Sequence, residues 1–84
     1  MKLTVIGGGG VRSMFLAKSI AQRSAQLNID NLVFMDNNEQ KLNIYGKMAK
    51  KVASLLCPEL KFEITTDPVY AIINADYVIT TIRE

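Results

Sequence analysis

Apolar positions along this chain alternate between short unbroken runs and a spacing near 3.6 residues, so buried strands are predicted to take turns with amphipathic helices. Lys2 to Ile6 reads as a strand, and Val11 to about Leu27 as a helix with Leu16, Ala17, Ile20, Ala21, Ser24 and Leu27 facing inward. A polar break, Asn28 to Asn31, leads to the apolar run Leu32-Val33-Phe34-Met35, which suits a strand covered on both faces. Asn37 is placed to cap a second helix, with Gln40 as its capping-box partner. Leu42, Tyr45, Met48, Ala49, Val52, Ala53 and Leu56 carry that helix to about Cys57, where Pro58 stops it and where Gly46 weakens it only modestly. Phe62, Ile64 and Thr66 alternate as a third strand, and Asp67-Pro68 opens a short helix with Val69, Ile72 and Ile73 turned inward. Tyr77 to Ile82 is a β-branched fourth strand.

The order is therefore βαβαβαβ. Alternation of this kind forces parallel pairing, and right-handed crossovers place helices on both faces of the sheet. The expected fold is α/β, a partial Rossmann fold with a parallel sheet of about four strands, and residues 1–84 form the N-terminal half of a dinucleotide-binding domain. Such a fold needs a second βαβ half, so strand four is expected to have a bare edge and the chain to be truncated.

Composition narrows the chemistry. With 84 residues there is room for one small domain, and 49% hydrophobic residues mark it as globular. The net charge of +2 creates no strong field, and Lys47, Lys50 and Lys51 lie on the outer face of one helix without interleaved aromatics, so no nucleic-acid partner is expected. Cys57 is alone, which excludes an internal disulfide and fits a reduced, cytoplasmic setting. The chain has no histidine, hence neither the commonest general base nor the commonest metal ligand. Met1 and Lys2 lead directly into the first strand, so no signal peptide is expected, and no apolar run is long enough to span a membrane.

The chemistry that remains lies in Gly7 to Gly10, between the first strand and the first helix. A glycine turn lets backbone approach a ligand, and the N–H groups opening the next helix attract phosphate. Against the G-x-G-x-x-G fingerprint two registers are open: Gly7 and Gly9 with Arg12 third, or Gly8 and Gly10 with Ser13 third. Helical phase puts Ser13 at the close-packing position and Arg12 outward, toward a phosphate or simply toward solvent. A glycine turn also occurs in α/β proteins with no ligand. Asp36 makes it more specific: an acid ending the second strand accepts hydrogen bonds from the adenosine ribose and repels a 2′-phosphate, so NAD is expected over NADP; the alternative is that Asp36 merely caps the next helix, a task for which Asn37 is available. Thr80, Thr81 and Arg83 end the fourth strand at the ligand-binding edge. Asp67 reads as a cap, Asp67 and Asp76 do not form an acid/base pair, and Tyr45 and Tyr70 occupy core-like positions.

The segments Lys2-Leu3-Thr4-Val5-Ile6-Gly7-Gly8-Gly9-Gly10-Val11-Arg12-Ser13, Val33-Phe34-Met35-Asp36 and Ala75-Asp76-Tyr77-Val78-Ile79-Thr80-Thr81-Ile82-Arg83 together resemble the N-terminus of glycoside hydrolase family 4, in particular its 6-phospho-β-glucosidases. The resemblance implies an enzyme in which NAD oxidises C3 of a phosphorylated sugar, a divalent metal, usually manganese, helps acidify the C2 proton, and the aglycone is eliminated before water adds and the hydride returns. That route is an exception to two-carboxylate glycosidase chemistry. It implies that Gly7, Gly9, Gly10, Val11 and Arg12 form the pyrophosphate loop, that Asp36 holds the ribose, and that Thr80 and Arg83 lead into the nicotinamide and sugar-phosphate region, Thr80 on the cofactor and Arg83 on the substrate. Many relatives carry Ser where this chain has Gly10. The family's metal ligands, a Cys and a His, and its Tyr base lie downstream; Cys57 does not match that Cys, so no catalytic or metal residue is expected here and the chain alone should be inert. The parent would act on a phosphorylated disaccharide or glycoside, as a homo-oligomer. Two other readings remain at this level, a nucleotide-sensing regulatory module and the N-terminal half of a lactate or malate dehydrogenase-like protein.

Overall fold

A computed structural model of the chain describes residues 1–7 and 13–80. Four parallel strands, β1 (Lys2–Ile6), β2 (Asn31–Met35), β3 (Lys61–Thr65) and β4 (Tyr77–Thr80), form one sheet in the order β3-β2-β1-β4. The helices are α1 (Ser13–Leu27), α2 (Glu39–Lys41), a π-helical turn over Leu42–Gly46, α3 (Lys47–Leu56) and α4 (Pro68–Ile72). The chain steps outward from β1 to β2 to β3 and then returns across the sheet to β4. With right-handed crossovers that reversal puts α4 on the opposite face from α1 and α3.

The core follows this division. On one face Leu3, Val5, Leu32, Phe34 and Phe62 meet Ala17, Ile20, Ala21, Ala49 and Ala53 of the helices. Alanines four apart on α1 and on α3 let the two helices approach each other closely over the sheet. Phe34 is fully buried, its ring centroid 4.9 Å from that of Phe62. On the other face Val33 and Met35 pack on Ala71, and the buried Thr4 hydroxyl donates to the Ala71 carbonyl.

Several local expectations need correction. The break after α1 is only partly polar, because Ile29 is buried. Asn28, with φ 56°, forms a left-handed C-cap while the Ile29 N–H reaches back to the Ser24 carbonyl at 2.9 Å. Asn38, not Asn37, caps the second helix: its side chain accepts from the Lys41 N–H at 3.0 Å, and Gln40 is no box partner. Gly46 also sits in a tight place, since a Cβ there would stand 3.1 Å from both Ile64 Cγ2 and Leu42 Cδ1, side-chain ends that would have to shift by a few tenths of an ångström.

Asp67 caps α4 as expected, accepting from the N–H groups of Val69 and Tyr70. However, Val69, Ile72 and Ile73 do not face inward. Among the described residues Ala71 is the one this five-residue helix buries, and those three stay exposed. Tyr70 is exposed too, donating its hydroxyl to Glu63 at 2.9 Å, and Tyr45 is only half-buried. Leu27, Met48 and Leu56 likewise leave their stripes for the surface, because small residues already form the closest contacts of α1 and α3. Among the described residues β4 pairs with β1 alone, and it is exposed throughout Tyr77–Thr80. Residues 81 and 82 of the expected fourth strand lie outside the described residues.

Candidate cofactor-binding edge

In a parallel sheet all carboxyl ends lie on one side, and the register aligns three of them here. Ile6 pairs with Met35 on β2 and with Thr80 on β4. Gly7 and Asp36 are the next residues beyond that row, so three expected site residues, Gly7, Asp36 and Thr80, come together at one edge. Gly9, Gly10, Val11, Arg12 and Arg83 lie outside the described residues, as do Gly8 and Thr81.

Gly7 has φ 92°, a backbone conformation that disfavours a Cβ, and its N–H donates to the Met35 carbonyl at 2.7 Å. That bond carries the pairing of β1 with β2 one residue past Ile6. α1 begins at Ser13 with no acidic side chain in its first turn. A turn followed by such a helix end suits an anion.

The half-buried Asp36 is held from two directions. Its N–H donates to the Thr65 carbonyl at 3.2 Å, fixing its backbone to the end of β3. Its Oδ1 accepts the Asn38 N–H at 2.9 Å, an Asx turn joining the carboxylate to the start of the helix that follows. The Asp-Asn-Asn spacing carries the signal for this turn. Thr65, which sequence reasoning gave no role, also lines an open depression of about 480 Å³ beside β3 with Lys50, Asp67 and Tyr70.

A strand, a positive-φ glycine turn, a helix and an acid ending the neighbouring strand are the parts with which an α/β sheet holds a dinucleotide. The family described as Family 4 glycosyl hydrolase matches residues 2–84. The chain belongs to glycosyl hydrolase family 4. Over 99% of its length it is 31% identical to the "Probable 6-phospho-beta-glucosidase" of Bacillus subtilis (strain 168), covering 19% of that protein. A 6-phospho-alpha-glucosidase of Leptotrichia buccalis is 26% identical over 96% of the chain, which covers 18% of it.

Solved family 4 structures agree in fold. A 6-phospho-alpha-glucosidase from gut microorganisms, in complex with NAD and glucose-6-phosphate, superposes with a TM-score of 0.92 at 26% identity over 99% of this chain and 19% of that one. The 6-phospho-beta glucosidase of Thermotoga maritima, with manganese, NAD+ and glucose-6-phosphate, gives 0.85 at 30% identity over 99% and 20%. The chain therefore spans about one fifth of the length of these family 4 relatives.

The donor sets distinguish the two cofactors. Gly7, at φ 92°, and the Asp36 carboxylate are a backbone position and a charge of the kind that dinucleotide sites use. A divalent metal finds no such set, since among the described residues no three His, Cys, Asp or Glu side chains converge. Cys57 follows α3 and precedes β3, at the amino end of the sheet and away from Gly7 and Asp36. Its thiol lies 3.3 Å from the Ser24 hydroxyl.

Proposed function

We propose that residues 1–84 supply the adenosine side of the NAD site in a family 4 6-phosphoglucosidase, as the N-terminal half of its Rossmann domain. The observation that carries this reading is the placement of Asp36 beside the positive-φ turn at Gly7 in a chain matched to the family over residues 2–84. In this role the backbone of Gly7, Gly9 and Gly10 gives the pyrophosphate close access, and the start of α1 with Val11 and Arg12 offers it N–H donors and charge. Asp36 accepts the ribose hydroxyls, Thr80 borders the nicotinamide side, and Arg83 reaches the sugar phosphate. NAD, when bound, supplies reversible hydride transfer; this chain's residues bind and orient it.

Manganese or a similar divalent ion belongs to parts of the parent other than these residues, and the chain alone is inactive. The β-linkage is the preferred specificity, supported by 31% and 30% identity to β-glucosidases against 26% for the α-specific relatives. A cytoplasmic homo-oligomer completes the proposal for the parent. The family match weighs against a nucleotide sensor or a dehydrogenase half.

The test is hydrolysis of paired α- and β-linked 6-phosphoglucosides by the full-length protein, with and without NAD and manganese. NAD-dependent release from the β-linked substrate is expected. Hydrolysis that persists after NAD is stripped would refute the cofactor role, and exclusive α-cleavage would refute the linkage.

A further inference from the structure

We propose that the outer edge of β3 joins the same edge of a second copy of this chain, antiparallel about a two-fold axis at Phe62, so that the sheets of two parent proteins run on into one another. The proposal deepens the homo-oligomer named above by giving it a surface, and it stands whether or not the edge at Gly7 and Asp36 holds NAD.

Among the described residues no strand lies beyond β3 in the order β3-β2-β1-β4. The Lys61 N–H donates to the Asp30 carbonyl at 3.0 Å, and the Thr65 carbonyl accepts the Asp36 N–H at 3.2 Å, so Lys61, Glu63 and Thr65 turn their backbone groups toward β2. Phe62 and Ile64 therefore turn theirs outward. The Leu60 carbonyl shares a trans peptide with the Lys61 N–H and points outward as well. These groups border the depression of about 480 Å³, walled by Lys50 of α3 on one face of the sheet and by Asp67 and Tyr70 at the start of α4 on the other. A row of such donors and acceptors in an open groove is a template for another strand.

The side chains select the occupant. Lys61 and Glu63 lie on the same face of β3, 3.7 Å apart. With the axis at Phe62, Lys61 of each copy stands directly opposite Glu63 of the other, which gives two opposite-charge pairs across the seam. Glu63 Oε1 accepts the Tyr70 hydroxyl and meets Lys61 of its own chain, which leaves Oε2 for the other copy. The outward N–H and carbonyl of Phe62 meet their own counterparts, and the Ile64 N–H meets the Leu60 carbonyl, for about four inter-strand bonds. An axis at Glu63 would set carboxylate against carboxylate, and one at Ile64 would set Glu63 against Thr65. The register at Phe62 is thus self-complementary in charge, which a two-fold interface requires. A stable dimer buries about 1,200 Å² or more in total, so the walls of the groove, where Tyr70 is exposed, meet their counterparts too.

The experiment is sedimentation velocity of the full-length parent over a dilution series, as wild type, as Lys61→Glu, as Glu63→Lys and as an equimolar mixture of those two variants. Each variant alone sets like charges opposite one another at both pairs and should weaken the dimer about tenfold or more. The mixture restores opposite charges between unlike copies, while positions 61 and 63 within each copy remain alike in charge, and it should regain the wild-type dimer. Circular dichroism confirms that each variant is folded. If one is not, carbodiimide cross-linking of wild type mixed from isotopically light and heavy copies serves instead, and should join Lys61 of one copy to Glu63 of the other. A monomeric wild type, single variants that dimerise as wild type does, a mixture no tighter than its components, or a cross-link confined to single copies overturns the proposal. NAD-independent hydrolysis by the same wild-type protein would refute the cofactor reading and leave this one intact.

Discussion

Replacing Gly7 by alanine tests whether the turn out of β1 depends on glycine. At φ 92° an L-residue places its Cβ against its own backbone, a strain of about 1–3 kcal/mol. Alanine restricts the unfolded chain and returns about 0.4–1 kcal/mol, so at the midpoints of the two ranges the net loss is about 1–1.5 kcal/mol. Against a total stability of about 4–13 kcal/mol for 84 residues that is substantial, and it corresponds to a fall in Tm of about 4–12 °C. Asparagine already occupies positive φ at Asn28 (56°) and Asn74 (60°), so Gly7→Asn should recover part of the loss. Urea unfolding followed by circular dichroism reads both variants, with a shifted midpoint and an unchanged slope. If Gly7→Ala unfolds within about 0.5 kcal/mol of wild type, the turn does not need glycine and the argument for a built cradle fails.

Two further outcomes concern the scaffold. Phe34→Ala empties the centre of the larger core and removes the ring contact with Phe62, so urea unfolding should show a loss of about 3–5 kcal/mol, enough to leave much of the chain unfolded at 37 °C. The hydrogen bond to Glu63, then partial desolvation, then the Glu63 charge raise the Tyr70 phenol above its ordinary value. Its folded value exceeds the unfolded one, so this contribution to stability is present below the unfolded phenol's titration and is lost as pH rises through the folded one. Ultraviolet titration with Tyr45 and Tyr77 changed to Phe should find Tyr70 shifting down toward the ordinary value in Glu63→Gln; an unmoved midpoint would refute the assignment.

The strand and helix order was legible because two periods, unbroken runs and the 3.6-residue spacing, alternate cleanly through β1, α1, β2, α3 and β3. Gly7 and Asp36 were legible for a related reason: each stands at the end of an apolar run, and a parallel sheet brings such ends together. The failures came where a short element has too little surface to obey a pattern. Val69, Ile72 and Ile73 have the spacing of an inward stripe, yet α4 is five residues long and docks by Ala71. Asn37 and Asn38 are chemically identical caps, and only the backbone distinguishes them. The closeness of Gly46 to Ile64 was not legible either, because that neighbour is distant in sequence.

The most direct test of the central claim is calorimetric titration of the chain and of its Asp36→Ala variant with NAD and NADP. Wild type should bind NAD more tightly than NADP, and Asp36→Ala should lose about tenfold or more in NAD affinity while its discrimination against NADP collapses. NADP binding equal to or tighter than NAD in wild type, or an Asp36→Ala variant with wild-type affinity for NAD, would contradict the assignment of this edge.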